Sequence, residues 1–172
     1  RDDVESRGLG DVYKRQLGYS KSIHMTRRLQ QLREIEKMVF LILGEITYRR
    51  EALPEALGTV AYRVPEPLAG FLKEVSEAAG QYQGACFQEI FREKAKTYLS
   101  GTALCPKDLE EFLQLGAYLG YLDITMQKNT ITLYLEQLKR EMENLQREMP
   151  AKQKLYRSMG ALGGIFLAIM LL

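Results

Sequence analysis

Few side chains in this sequence could do chemistry. His24 is the single histidine, and Cys86 and Cys105 are the two cysteines. A thiol nucleophile needs a base poised beside it, and neither cysteine has a histidine nearby in the sequence. No CxxC or Cys/His cluster offers metal-ligand spacing, and no glycine loop of the phosphate-binding type is present. The neighbouring carboxylates Glu110 and Glu111, and Glu141 with Glu143, could act as acid and base only in surroundings that push their pKa values apart. Both pairs fall on polar faces of helical patterns, where that does not happen. His24 reads as a surface residue, and the cysteines as small buried or half-buried apolar groups. The sequence therefore points away from an enzyme, a metal site and a cofactor, and towards a protein that works by holding partners.

Charge narrows the partners. The 24 Lys and Arg against 22 Asp and Glu leave +2, whereas a nucleic-acid binder carries a strongly basic face. Hydrophobic residues at 46% are enough for a packed core rather than disorder. Cysteines without a framework fit a reducing compartment. Residues 1–16 stand apart: polar, glycine-containing and aperiodic, they look like translated sequencing-adapter read-through and are left out of fold reasoning.

The elements that would position a binding surface are all helical. Residues 25–50 predict one long helix, because Leu29, Leu32, Ile35, Val39, Ile42 and Ile46 recur at spacings of three and four. Arg27, Arg28, Arg33, Glu34 and Lys37 take its other face. Its apolar run 38–43 is too short for a membrane span, which needs about 20 residues. Shorter helices are expected over 53–64, with Pro54 in the first turn, over 68–79, stopped by Gly80, and over 85–99. Val64-Pro65-Glu66-Pro67 separates the first two of these. A fifth helix spans 106–119, with Asp108, Glu110 and Glu111 near the positive end of its dipole and Leu109, Phe112, Leu113, Gly116 and Leu119 inward.

Asp123 looks like the N-cap of a sixth helix over 124–149. There Ile131, Leu135, Leu138, Met142, Leu145 and Met149 alternate spacings of four and three, a heptad seam. This helix is expected to lie antiparallel to the first and to end or kink at Pro150. Glu136, Arg140, Glu143 and Arg147 on its outside form the candidate partner face.

Residues 159–172 carry no charge. Met159, Gly160, Leu162, Gly164, Ile165, Phe166, Leu167, Ile169 and Leu171 make the stretch apolar all round, which suits a membrane helix better than a core helix. It is short for a full crossing. Lys152, Lys154 and Arg157 flank it, which puts the globular part on the cytoplasmic side, and Tyr156 can sit at the interface. Gly160 and Gly164 form a GxxxG pair, suited to close approach of another helix or simply to a flexible anchor. Gly116 and Gly120 repeat that spacing, there for packing inside the bundle. The fold class expected is all-α: a six-helix bundle over 17–151 with long first and last helices, plus a C-terminal transmembrane helix over 152–172.

Several motifs carry a family resemblance. Glu45-x-x-Tyr48 precedes Leu53-Pro54-Glu55-Ala56-Leu57, and Val64-Pro65-x-Pro67 follows. Leu109 to Leu119 with Gly116 and Gly120 leads to Asp123 and Gln127. Lys154-x-Tyr156-Arg157-Ser158-x-Gly160-x-Leu162-x-Gly164 opens the apolar end. In this order, from about Thr26 to Leu172, the chain resembles the stage III sporulation protein AB family. It departs from that pattern in having Leu122 rather than Ser before Asp123, and in Pro150. The family also begins with an N-terminal membrane helix, where this sequence has the adapter-like stretch.

The resemblance implies a helical domain similar to the cytoplasmic domain of type II secretion F proteins. It implies a place in the mother-cell membrane around the forespore, within the secretion-like complex that links the two cells during endospore formation. Its implied partners are a secretion-type ATPase and other membrane components of that complex, with a homo-oligomer as a further candidate assembly. The alternative function is a membrane-tethered helical adaptor or ligand-sensing module outside sporulation.

Overall fold

The apolar stripe of the first helix decides the architecture. Leu29, Leu32, Ile35, Val39, Ile42 and Ile46 are all buried, joined by Met38 between them. A stripe of that length has to be covered along its whole run, and the last helix covers it. The computed structural model describes residues 23–81, 86–120 and 123–149 in full, with the backbone of the first and last helices continuing from Asp3 and to Leu171. Its helices are α1 (Asp3–Gly44), α2 (Leu53–Ala61), α3 (Leu68–Gly80), α4 (Phe87–Leu99), α5 (Pro106–Leu119) and α6 (Ile124–Leu171). Among the described residues there is no strand.

α1 and α6 pack side by side. Arg28 lies opposite Glu141, and Phe40 shares a groove with Thr132. As the number rises on one helix it falls on the other, so the pair is antiparallel, as the heptad pattern predicts. Ile23 and Met149 therefore lie at one end of the bundle. α2 to α5 pack in succession, and α5 returns to α6.

The core between them is closed by rings. Phe91 of α4 meets Phe71 of α3 edge-on and Phe112 of α5 at a tilt, both at 5.0 Å between centroids. Phe112 in turn faces Tyr134 of α6. Such ring pairs add about 0.5–1.5 kcal/mol each beyond the area they bury.

Several boundaries differ from the sequence reading. The first helix does not run unbroken to residue 50: Glu45–Arg49 form a single π-helical turn. Arg50, at φ 54°, closes it in the left-handed region and donates its N–H to the carbonyl of Glu45. α2 ends at Ala61, three residues early, because Tyr62 and Arg63 turn towards the proline segment, where the Glu66–Pro67 peptide is cis. On α6, Tyr134 is buried beside the expected seam, while Leu135 and Met149 are only partly buried.

α6 also does not stop at Pro150; its helical backbone continues to Leu171. A proline removes one N–H bond and strains one turn. The Lys, Gln, Leu and Met around it are strong helix formers, and they favour helix on both sides. The expected boundary between bundle and anchor is thus not a break in the helix. The side chains of residues 1–22 and 150–172 lie outside the described residues, and with them both the adapter-like stretch and the apolar anchor. Among the described residues, no helix is long and apolar enough to cross a membrane.

Asp123 caps α6 as expected: its Oδ1 accepts a 2.8 Å hydrogen bond from the N–H of Met126. Asp123→Ala should cost about 1 kcal/mol and lower Tm by about 2–4 °C. Asp123→Asn should retain most of that stability. Thermal melts followed by circular dichroism would check both, and an alanine variant as stable as the parent would remove the cap from the account.

Candidate interaction surface

The outer face of α6 is held in place from beneath by an ion network. Arg28 of α1 makes a two-pronged contact with Asp108 of α5: Nε donates to Oδ2 and Nη2 to Oδ1, each at 2.7 Å. The same Nη2 donates to Glu141 of α6 at 2.8 Å, and Lys107 reaches Glu141 from the solvent side. The Asp108 side chain is only 2% exposed. Burial alone would raise its pKa, but the hydrogen bonds from Arg28 and from the N–H of Cys105 outweigh it, and the carboxyl is held below its ordinary value. The bond to Asp108 raises Arg28 further, against its own burial. One guanidinium thus ties three helices together at a fixed register, because the planar fork matches a carboxylate geometrically.

The sequence reading gave these residues other places. By pattern Arg28 falls on the polar face of the first helix, Glu141 on a polar face of the sixth, and Asp108 near the positive end of the fifth helix's dipole. The structure brings all three together, with Arg28 and Glu141 partly covered. Their separation of 80 and 113 positions leaves no local signal.

Glu136, Arg140, Glu143 and Arg147 are all exposed. Their spacing of four, three and four residues puts them on one helix face. Among the described residues they make no ion pair with other side chains of the chain. This surface can form salt bridges to a partner. His24 is exposed at the rim of an open groove of about 620 Å³, lined also by Arg27, Gln31, Glu66 and Thr102. Cys86 and Cys105 are half-buried and outside any disulfide. No group of three or more His, Cys, Asp or Glu among the described residues could hold a metal ion.

The motif residues sort by what each touches. Pro54 and Glu55 stand in the first turn of α2, where a missing N–H is harmless and a negative charge is favoured. Gly116 lies against the ring of Phe91, and a Cβ built on Gly120 would come 3.1 Å from Phe87, so both let α5 approach α4 closely. The side-chain amide of Gln127 donates to the carbonyl of Leu119 at 2.8 Å, closing the α5–α6 turn behind the Asp123 cap. Glu45 is buried and accepts a 2.8 Å bond from Arg63, with Arg49 within ion-pair distance. Tyr48, three residues on, is 88% exposed.

The model of the family described as stage III sporulation protein AB (spore_III_AB) matches residues 16–172. The chain belongs to the stage III sporulation protein AB family. A solved structure titled stage III sporulation protein AB (SpoIIIAB) shares the fold, with a TM-score of 0.64 at 19% identity. The match covers 72% of this chain and 97% of that one. No curated protein sequence matches the chain. Family membership makes it a sporulation-related component.

Proposed function

We propose that the protein is a membrane-anchored structural and assembly component of the secretion-like complex between mother cell and forespore, and not an enzyme. The single observation that carries this reading is the antiparallel pairing of α1 and α6. It sends both terminal segments out of one end of the bundle, so a membrane helix before α1 and the apolar residues 159–172 can enter the same bilayer. Lys152, Lys154 and Arg157 then face the cytoplasmic leaflet, and the bundle stands in the cytoplasm of the mother cell. In this reading the bundle plays the part of the cytoplasmic domain of a type II secretion F protein.

Such a tether leaves the outer face of α6 pointing along the membrane. Its alternating charges suit a soluble partner with complementary charges, and a secretion-type ATPase is the partner proposed. The alternative of a ligand-sensing bundle has less support, since rings of Phe71, Phe91 and Phe112 fill the space between α3, α4 and α5.

The test is binding of the full chain, in lipid nanodiscs, to the secretion-type ATPase of the same genome, with and without nucleotide. Saturable binding is expected. Charge reversal at Arg140, Glu143 and Arg147 together should weaken it at least tenfold, about 1.4 kcal/mol, with an unchanged circular dichroism spectrum. Absence of binding by the folded chain would turn the assignment to the adaptor reading.

A further inference from the structure

A groove runs between α1 and α6 on the side of the pair away from the core. It measures about 450 Å³ and is floored by Phe40, Thr132 and Leu135. Phe40 is 65% exposed, and Leu133, next in sequence to Thr132 on α6, is 57% exposed. Bare apolar side chains grouped along one side of a packed helix pair mark a contact surface. Four charges stand on the walls: Glu36 and Lys37 on α1, Glu136 and Lys139 on α6. Among the described residues none of the four is ion-paired within the chain.

The charges fix what the groove can take. Each wall carries one acid and one base, so the strip is neutral and offers nothing to an acidic or a basic partner in particular. It is complementary to itself. A two-fold axis parallel to the helices lays α1 of one copy against α6 of the other without changing height along the bundle. The heights follow from Arg28 opposite Glu141 and Phe40 opposite Thr132. Interpolating between them sets Lys37 level with residue 134, about 3 Å along the helix from Glu136. Under the two-fold operation, Lys37 of each copy meets Glu136 of the second copy. Glu36 meets Lys139 of the second copy with an offset of about 6 Å, within the reach of two long side chains. Phe40 meets the second copy's Thr132, Leu133 and Leu135.

We propose that this groove is a homodimer interface, with two antiparallel α1–α6 pairs joined into a four-helix arrangement. The direction of the axis rests on the proposed membrane tether, because it keeps both anchors at the same end; an axis across the helices would point them in opposite directions. The strip from Ile23 to Gly44 is about 33 Å long and two helices wide. That is of the order of the roughly 800 Å² per partner in a standard interface. Isologous contacts come in equal pairs, so each salt link and each Phe40 contact is made twice.

The symmetry supplies the test. Sedimentation velocity of the full chain, in density-matched detergent over a range of protein concentrations, is expected to show a monomer–dimer equilibrium. Phe40→Ser should leave it monomeric. Lys37→Glu and Glu136→Lys should each weaken self-association at least tenfold, since each puts like charges together at two places. Mixing these two variants in equal amounts should restore the dimer, because every link is then between opposite charges in the two chains. A pairing within one chain cannot give that result.

Arg147→Glu, lower on α6, should leave the dimer unchanged, whatever it does to binding of the ATPase. A parent chain that stays monomeric would overturn the proposal. So would a mixture no more dimeric than its components, which would mean a different contact or an axis across the helices.

Discussion

Arg28→Ala should be among the most damaging single changes in the bundle. It leaves the Asp108 carboxylate, 2% exposed, with its charge uncompensated. Breaking a buried ion pair from one side costs about 3–5 kcal/mol. Because Arg28 itself is partly covered rather than sealed, the lower end, about 3 kcal/mol, is expected, or a fall in Tm of about 6–12 °C. Arg28→Lys should recover little, since an ammonium cannot make the two-pronged contact. Arg28→Met with Asp108→Leu should recover most of the loss, because the pair as a whole gains little over apolar side chains of similar size.

The acid limb gives an independent check. Asp108 has its pKa lowered by folding. Its contribution is fully present above the unfolded carboxyl value of about 3.9 and is lost as pH falls through the lower folded value. The stability gap between the parent and the Arg28→Met, Asp108→Leu variant should therefore shift against the parent below about pH 4. Thermal melts from pH 7 down to pH 3 would read both effects. An Arg28→Ala variant within 1 kcal/mol of the parent would show that the link between the three helices is ornamental.

That ion network also shows what a single sequence does and does not encode. The period of the first helix names the buried face correctly at all six expected positions. The start and end of α5 and the cap of α6 follow from local chemistry, a proline in the first turn and an aspartate before it. Periodicity says which face is buried but not against what. Arg28 is charged, so a reading by polarity puts it in water, although its fork is satisfied by residues 80 and 113 positions away.

Tyr134 escapes the heptad pattern for the opposite reason. A phenol counts as half polar, yet its ring is buried against Phe112, and burial pushes its pKa up. The π-helical turn at Glu45–Arg49 is one residue's worth of extra winding, too small to disturb the spacing from Ile42 to Ile46. It does, however, set Glu45 inward towards Arg63 while Tyr48 stands in solvent.

The candidate surfaces divide along the same line. The four charges on the outside of α6 were legible, because solvent exposure follows directly from the heptad. The groove beside them was not, because Phe40 falls in an apolar run, 38–43, that reads as core throughout. Only the pairing of α1 with α6 reveals that one member of that run looks outward.

The second large effect is expected at Gly116. A Cβ built there would overlap the ring of Phe91. That ring cannot step aside, being wedged between Phe71 and Phe112 at 5.0 Å from each. Alanine in mid-helix would ordinarily gain about 1 kcal/mol over glycine. Overpacking a filled core costs about 1–3 kcal/mol, occasionally more, and the upper end applies where three rings must shift together. Gly116→Ala should therefore lose about 2 kcal/mol net, against the sign of its helix propensity.

Phe91→Leu alone should also destabilise, by opening a gap beside Phe71. The two changes together should cost less than the sum of their separate costs, since the smaller side chain vacates the space the methyl needs. Chemical denaturation of the parent, both single variants and the double would measure that coupling. Strictly additive losses would mean that α5 simply moves away from α4 to admit the methyl group. The close α4–α5 contact would then be a consequence of having glycine at 116 rather than the reason for it.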